Sequence, residues 1–253
     1  MIIKQPWTTQ PQVATEIDWS RYKPSIVSMP GCNLVNLVDT RTPEILGTAP
    51  IGNQVSITGK GKQLNFFPTG WVTGDATFIW CGTPFNLGNA GSNGELLMRG
   101  ADGLGGWNFL LRYMNNTTLE AAVVDSSPAG FSVSLTPASL TSGAYQCVAM
   151  RKKGTSLSLF DWRTRTSTTG TAGNGGLRSS TVGVGLALFQ SSPTGHNSCN
   201  TLIVLPNALT DKEVWDLLDN PWQIFKPIPR RIFVPVSDTL DILLNMTTQA
   251  AEG

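Results

Sequence analysis

The sequence predicts an all-β chain, an antiparallel sandwich with one short helix near its C-terminal end and extended arms at both termini. Three observations carry that expectation. Strand signals recur roughly every ten residues, with turn residues between them. Gly (26) and Pro (16) are abundant among the 253 residues, which suits many short strands and tight turns. Charged residues are 14% of the chain, well below the about 25% of an average domain, which argues against a helical bundle.

Taken in order, residues 1–30 read as an extended lead-in. The run IKQPWTTQPQVATEIDWS holds Trp7, Trp19, Pro6 and Pro11 but no sustained period, so it must lie on something else. Cys32–Val38 is the first strand candidate, followed by Gln54–Ile57 and Gln63–Phe66, which the turn-rich Thr58–Lys62 separates. Asp75–Cys81 is a strong strand whose alternation puts Phe78 and Trp80 on one face. Glu95–Arg99, Trp107–Tyr113, Thr118–Val124 and Phe131–Leu135 continue the series, divided by Gly100–Gly106, Asn115–Asn116 and Ser126–Gly130. Ala144–Arg151 and Ser156–Trp162 face each other across Lys152-Lys153-Gly154-Thr155, a hairpin pattern. Val182–Phe189 and Thr201–Leu205 close the strands. No internal repeat is visible.

The helix follows at once. Thr210 is placed to cap it, and Glu213 three positions on to complete a capping box. Val214, Trp215, Leu217 and Leu218 recur at helical spacing until Asn220-Pro221 ends the run. Pro227 and Pro229 then forbid helix, and Arg230–Val236 reads as a strand with a proline near its end.

Composition also excludes classes of function. A formal net charge of +1 supplies no field for nucleic acid or an anionic membrane surface. No run of about eighteen apolar residues is present, so membrane insertion is not expected. The opening MIIKQPWTTQPQ lacks the apolar core of a secretory signal, which points to synthesis in a cytosol without export. Without export, the glycosylation sequons of Asn115-Asn116-Thr117-Thr118 carry no meaning. Cys32, Cys81, Cys147 and Cys199 lie far apart with no CxxC pairing, so free thiols are expected, with no metal and no cofactor.

Catalytic patterns are sparse. A glycosidase needs two carboxylates flanking one bond. The nearest run, Glu16-Ile17-Asp18, lies in the lead-in, and the third place of that pattern is Arg21, so it reads as surface charge. The one histidine, His196, falls in SSPTGHNSC and reads as a loop residue, since no carboxylate near it in sequence holds it for catalysis. With Cys199 it makes two zinc ligands where a structural site needs four. Asp102-Gly103-Leu104-Gly105-Gly106-Trp107 is an acidic glycine-rich loop ending in an aromatic; it suits either Ca²⁺ or sugar stacking, or simply a turn into a strand with the indole in the core. Trp71 and Trp162 are further stacking candidates, with core packing as the plainer role for each. Asp102, Trp107 and Trp162 are therefore the candidate glycan contacts. Gly173–Gly176 has no Lys-Ser/Thr after it and is no phosphate loop.

Several stretches carry a family resemblance. The opening "QPW..QPQ....IDWS" and the ending "aLtdkEv..l..NPWqiF.P..Rri.vpv" resemble LamG-type concanavalin-A-like domains of bacteriophage and prophage virion proteins. Ala76–Trp80, Ala144–Asp161 (with Tyr145 in a tryptophan place) and Val182–Leu209 are similar to successive strands of that family. Two departures stand out: Asp161-Trp162 replaces the family's Asp-Gly turn, and Cys199–Ile203 replaces its "f.G.id" strand. The first implies a rebuilt hairpin tip.

The resemblance implies a concanavalin-A-like jelly-roll sandwich over residues 31–220, an N-terminal arm over 1–30 and a Pro-rich arm over 221–253. It implies a non-enzymatic virion component, foremost a tail-tip or baseplate protein with a lectin-like domain for host-surface glycan. A capsid-decoration protein and a polysaccharide hydrolase are the alternatives. Expected partners are other virion proteins, copies of the chain itself (a trimer) and a host glycan. Trp7, Trp19, Trp222, Phe225, Ile232 and Phe233 supply apolar arm surface that must be covered, here by docking on neighbouring subunits. On that view a chain trimmed to 31–220 still folds.

Overall fold

The computed structural model describes residues 16–28, 37–38, 44–46, 48–51, 54–58, 63–66, 74–85, 95–101, 107–115, 118–124, 130–136, 143–171, 186–189 and 196–226. Fifteen strands and one α-helix are assigned among them. The strands are β1 (Ile26–Ser28), β2 (Glu44–Leu46), β3 (Thr48–Ile51), β4 (Gln54–Thr58), β5 (Gln63–Phe66), β6 (Ala76–Phe85), β7 (Glu95–Ala101) and β8 (Trp107–Asn115). They continue as β9 (Thr118–Val124), β10 (Gly130–Leu135), β11 (Gln146–Lys153), β12 (Ser156–Asp161), β13 (Thr166–Thr171), β14 (Leu186–Phe189) and β15 (His196–Leu205), followed by α1 (Asp211–Asp219). A 3-10 turn, Pro221–Ile224, comes after the helix.

The strands form two antiparallel sheets. The first runs β13-β12-β11-β6-β15-β4-β3, and β1 also pairs with β15. The second runs β10-β9-β8-β7-β14-β5-β2. This is the expected antiparallel sandwich with one short helix. Chain neighbours often part company: β4 lies in the first sheet and β5 in the second, so Thr58–Lys62 joins two layers.

Alternation along the strands builds two apolar layers. Phe78 and Trp80 of β6 face inward and join Phe109, Leu111 and Tyr113 of β8 and Val148 and Met150 of β11 in the intersheet core. Phe78 and Phe109 touch across it, with ring centroids 4.2 Å apart. The other parity of the central strands, Ile79, Cys81, Cys147, Ala149, Ile203 and Leu205, faces outward yet is equally buried, because a second apolar layer lies on it. That is why these strands read as continuous apolar runs rather than clean alternation.

The helix belongs to this second layer. Its capping box is formed as the sequence predicts: Glu213 N–H donates to the Thr210 hydroxyl, and the Glu213 carboxylate accepts from Thr210 N–H at 2.8 Å. Val214, Leu217 and Leu218 turn onto the outer face of the first sheet. Arginines of the strands and turns then meet the helix acids. Arg151 pairs with Asp211 and donates to the Leu209 carbonyl at 3.0 Å, and Arg165 pairs with Asp219. Exposed pairs contribute only about 0–1 kcal/mol each, so they fix the helix's position while burial of its leucines holds it. Thr210→Ala removes the cap and is expected to lower unfolding free energy by about 1 kcal/mol in urea melts, with the slope unchanged.

The described parts of both arms correct the expected boundaries. Residues 16–28 and 221–226 fold back on their own sandwich. β1 pairs with Leu202–Val204 along β15, beyond the stretch that β4 covers. Ile17 bridges Phe225, Asp18 N–H donates to the Ile224 carbonyl at 2.8 Å, and Lys226 N–H donates to the Glu16 carbonyl at 2.9 Å. Ile17, Tyr22, Val27, Ile224 and Phe225 are buried in the second layer. Boundaries at 31 and 220 would therefore cut through a hydrophobic core. The sequence hides this because neither residues 16–28 nor residues 221–226 have a period of their own. Trp222 packs at its edge, its ring 5.9 Å from that of Phe225, while Trp19 stays exposed. Trp7, Ile232, Phe233 and the expected strand Arg230–Val236 lie outside the described residues.

Other differences are local. Of the expected strand Cys32–Val38, only Leu37 and Val38 are described, and they form a turn in which Leu37 N–H donates to the Val27 carbonyl at 2.8 Å. β1, β2 and β3 are too short to show a period, and β13 (TSTTGT) has no apolar residue to signal one. His196 opens the long strand β15 rather than sitting in a loop, paired in register with Thr58 and Phe85. The β11–β12 hairpin forms as expected, with Gly154 at φ +54, the left-handed conformation that a glycine adopts without strain.

Candidate functional site

The two outer faces of the sandwich differ. That of the first sheet lies under α1, the 3-10 turn and residues 16–28. On the second sheet, β8, β9 and β10 present a different outer face, set by strict alternation. Leu111, Tyr113, Leu119, Ala121, Val123, Val133 and Leu135 point into the core. Their neighbours in sequence must point out.

Register turns those neighbours into cross-strand rows. Ser134 lies opposite Glu120, and Glu120 opposite Arg112. In the next row Ser132 lies opposite Ala122, Ala122 opposite Leu110, and Leu110 opposite Arg99. At the edge the Thr118 and Thr136 hydroxyls meet at 3.3 Å. Arg112 Nε donates to Glu120 Oε2 at 2.6 Å, with 22% of the Arg112 side chain and 12% of the Glu120 side chain exposed. Ser132, Ser134 and Thr136 are exposed beside this pair.

Only the edge of this face is open: Ser132, Ser134 and Thr136 of β10 are exposed, whereas Leu110, Ala122 and Glu120 are buried. It offers hydroxyls on a rigid strand, with the half-buried Arg112 guanidinium two strand spacings of about 4.8 Å behind them. Donors and acceptors at that spacing match a ligand rich in hydroxyl groups. Acid–base hydrolysis would need a second carboxylate within about 10 Å of Glu120. Among the described residues of β8, β9 and β10, Glu120 is the one carboxylate, and Glu44, in the row of Arg99 and Leu110, lies strands away on β2.

The structure separates the candidates named from sequence. Trp162 sits in the turn after β12, on the first sheet's side, packed against the second apolar layer. Its indole N–H donates to Asp219 Oδ1 at 3.1 Å, so it serves the helix contact rather than a stacking platform. Trp107 opens β8 in the other sheet, and Asp102 and Trp71 lie outside the described residues. Glu16 pairs with Lys226, and the Ser20 hydroxyl, donating to Asp18, holds the Asp18 carboxyl below its ordinary range. Sequence reasoning missed the Ser132–Ser134–Glu120–Arg112 face, although the signal was there: Phe131–Thr136 reads F-S-V-S-L-T, strictly alternating.

A second polar group lies inside. Asp161, Gln146, Trp80 and Tyr113 are fully buried, and among the described residues Asp161 Oδ2, both Gln146 amide atoms, Trp80 Nε1 and the Tyr113 hydroxyl have no hydrogen-bond partner. Burial pushes the Asp161 carboxyl above its ordinary value, against the Arg163 and Thr164 backbone N–H groups that donate to Oδ1. A raised folded value means the group supports the fold fully below the unfolded value of about 3.9, and that support is lost as pH rises through the raised value. Asp161→Asn keeps an acceptor for the two N–H groups and removes the titration. Relative to the native chain it is expected to gain stability between acid and neutral pH, read from melting temperatures across that range.

No family model matches the chain, and no curated protein matches it. Solved structures do. The ligand-binding domain of botulinum neurotoxin serotype D in complex with N-acetylneuraminic acid aligns with TM-score 0.60 and 8% identity over 78% of this chain. The serotype G binding domain aligns with TM-score 0.60 at 9% identity, and that of Paraclostridial Mosquitocidal Protein 1 with TM-score 0.60 at 10%. The chain spans about half the length of these structures, 50%, 50% and 51% respectively. At such identities the likeness is one of fold, and it sets the class: an antiparallel jelly-roll β-sandwich.

Proposed function

We propose that this chain is the glycan-recognising module of a bacteriophage virion protein, located at the tail tip or baseplate. The observation that carries the recognition part is the outer face of the second sheet, where Ser134 stands in register with the Arg112–Glu120 pair and Ser132 and Thr136 flank it, exposed, on the same strand edge. A solved structure of the same fold is described as a ligand-binding domain in complex with N-acetylneuraminic acid, which supports a sugar as ligand class. The virion part rests on the resemblance of QPW..QPQ....IDWS and of the Ala208–Val236 ending to phage proteins. In this reading the chain is made in the host cytoplasm, assembles as a trimer with other virion proteins, and meets a host-surface glycan without catalysis.

Two measurements test it. The full chain on a glycan array should retain a defined set of sugars; an empty array would leave a scaffold rather than a binder. Gold-labelled antibody on purified virions should mark the tail end. Label on the capsid alone would make it a head-decoration protein, and absence from virions would end the phage reading.

A further inference from the structure

We infer that Cys81 and Cys147 are a matched cross-strand dithiol that closes to a disulfide when the chain folds in the presence of a small disulfide oxidant. Far apart in sequence, they stand directly opposite each other on β6 and β11. Trp162 N–H donates to the Cys147 carbonyl at 3.0 Å, so the backbone groups of Cys147 point toward β12. Its pairing with Cys81 is therefore of the non-hydrogen-bonded kind, in which Cα atoms lie about 4.5 Å apart and side chains are closest. A disulfide spans Cα separations of about 4.4–6.8 Å.

The side chains agree with the backbone. Both lie on the helix side of the first sheet, fully buried, with each thiol reduced. The Cys147 thiol is within hydrogen-bonding reach of the Cys81 thiol, and the Tyr145 hydroxyl reaches both sulfurs. Cys199 is not an equivalent partner. It faces the intersheet core, and its thiol donates to the Thr201 carbonyl at 3.6 Å.

Burial, and then the neighbouring Cys147, push the Cys81 thiol well above its ordinary range, so folded Cys81 is a poor nucleophile, and full burial shields both sulfurs from the reagent. The reaction belongs to the folding chain. One cysteine thiolate attacks the oxidant's disulfide, forms a mixed disulfide and expels the first reagent thiolate. The other then attacks the protein sulfur of the mixed disulfide and expels the second. The protein loses two electrons and two protons, and the reagent leaves as two thiols.

The test refolds the full chain from reduced denaturant into a glutathione disulfide/glutathione buffer. Two thiols should disappear, peptide mapping should join Cys81 to Cys147, and the melting temperature should rise by several degrees over the reduced chain. Cys81→Ser should refold without the bridge and without the rise. Native reduced protein in the same buffer should react at least tenfold more slowly. A bridge to another cysteine, stable glutathione adducts on either residue, no bridge in a chain that refolds, or a bridged chain that no longer melts cooperatively would each overturn the inference.

Discussion

A chain trimmed to residues 31–220 is expected not to fold cooperatively. The cut removes Ile17, Tyr22, Ile26, Val27, Ile224 and Phe225, each at most 4% exposed. Full burial of such a side chain contributes about 1.5–3 kcal/mol, so together they supply roughly 9–18 kcal/mol as an upper estimate. The whole net stability of a domain is about 5–15 kcal/mol. Trimming also strips β1 from β15 and uncovers Ile79, Cys81, Ala149 and Ile203 beneath the missing layer. Urea melts followed by circular dichroism should show no sigmoidal transition for 31–220 and a single one for 16–226. A 31–220 chain melting within a few degrees of the full protein would mean that these segments do not hold the sandwich together.

The other large effect is at Trp80. It sits on β6 between β11 and β15, and it is fully buried among Phe78, Val148, Leu202 and Phe109 in the intersheet core. Trp80→Ala should cost about 3–5 kcal/mol, because the lost indole leaves a cavity that rigid sheets cannot collapse into. Trp80→Phe should cost much less. The indole N–H has no partner among the described residues, so replacing it with an apolar ring removes a desolvated donor along with part of the volume. Equal losses for both would place the value of this residue in its N–H rather than in its packing.

The contrast between these two regions shows what was legible in the sequence. Phe78 and Trp80 were assigned to one face from β6 alone, because alternation is a local signal and the sheet keeps it. Thr210 and Glu213 were legible for the same reason: a capping box spans four residues and closes on itself. The layer that joins Ile17 to Phe225 depends on a contact between opposite ends of the chain, and neither end has a pattern that names the other. Those segments read as arms. The proposed binding face lies between these cases. Ser134, Glu120 and Arg112 each sit on a strand assigned at nearly its observed bounds, but only register brings them into one row. A face built from serines, a threonine pair and one ion pair has neither a stacking aromatic nor paired carboxylates to mark it in sequence. Trp162 illustrates the opposite error, since its indole contacts the helix through Asp219.

The central claim is that this sandwich binds its ligand on the outer face of the second sheet. Ser134 is exposed on the edge strand β10 of that face, opposite Glu120, and its side chain points away from the core. Ser134→Tyr should cover the row while leaving the fold intact. The direct measurement is calorimetric titration of the full chain and of Ser134→Tyr with the strongest glycan from the array, alongside their melting temperatures. The account predicts at least a tenfold loss of affinity with melting unchanged to within about 2 °C, as expected for a surface substitution. Undiminished affinity in a normally folded Ser134→Tyr chain would contradict it and place the ligand elsewhere on the molecule.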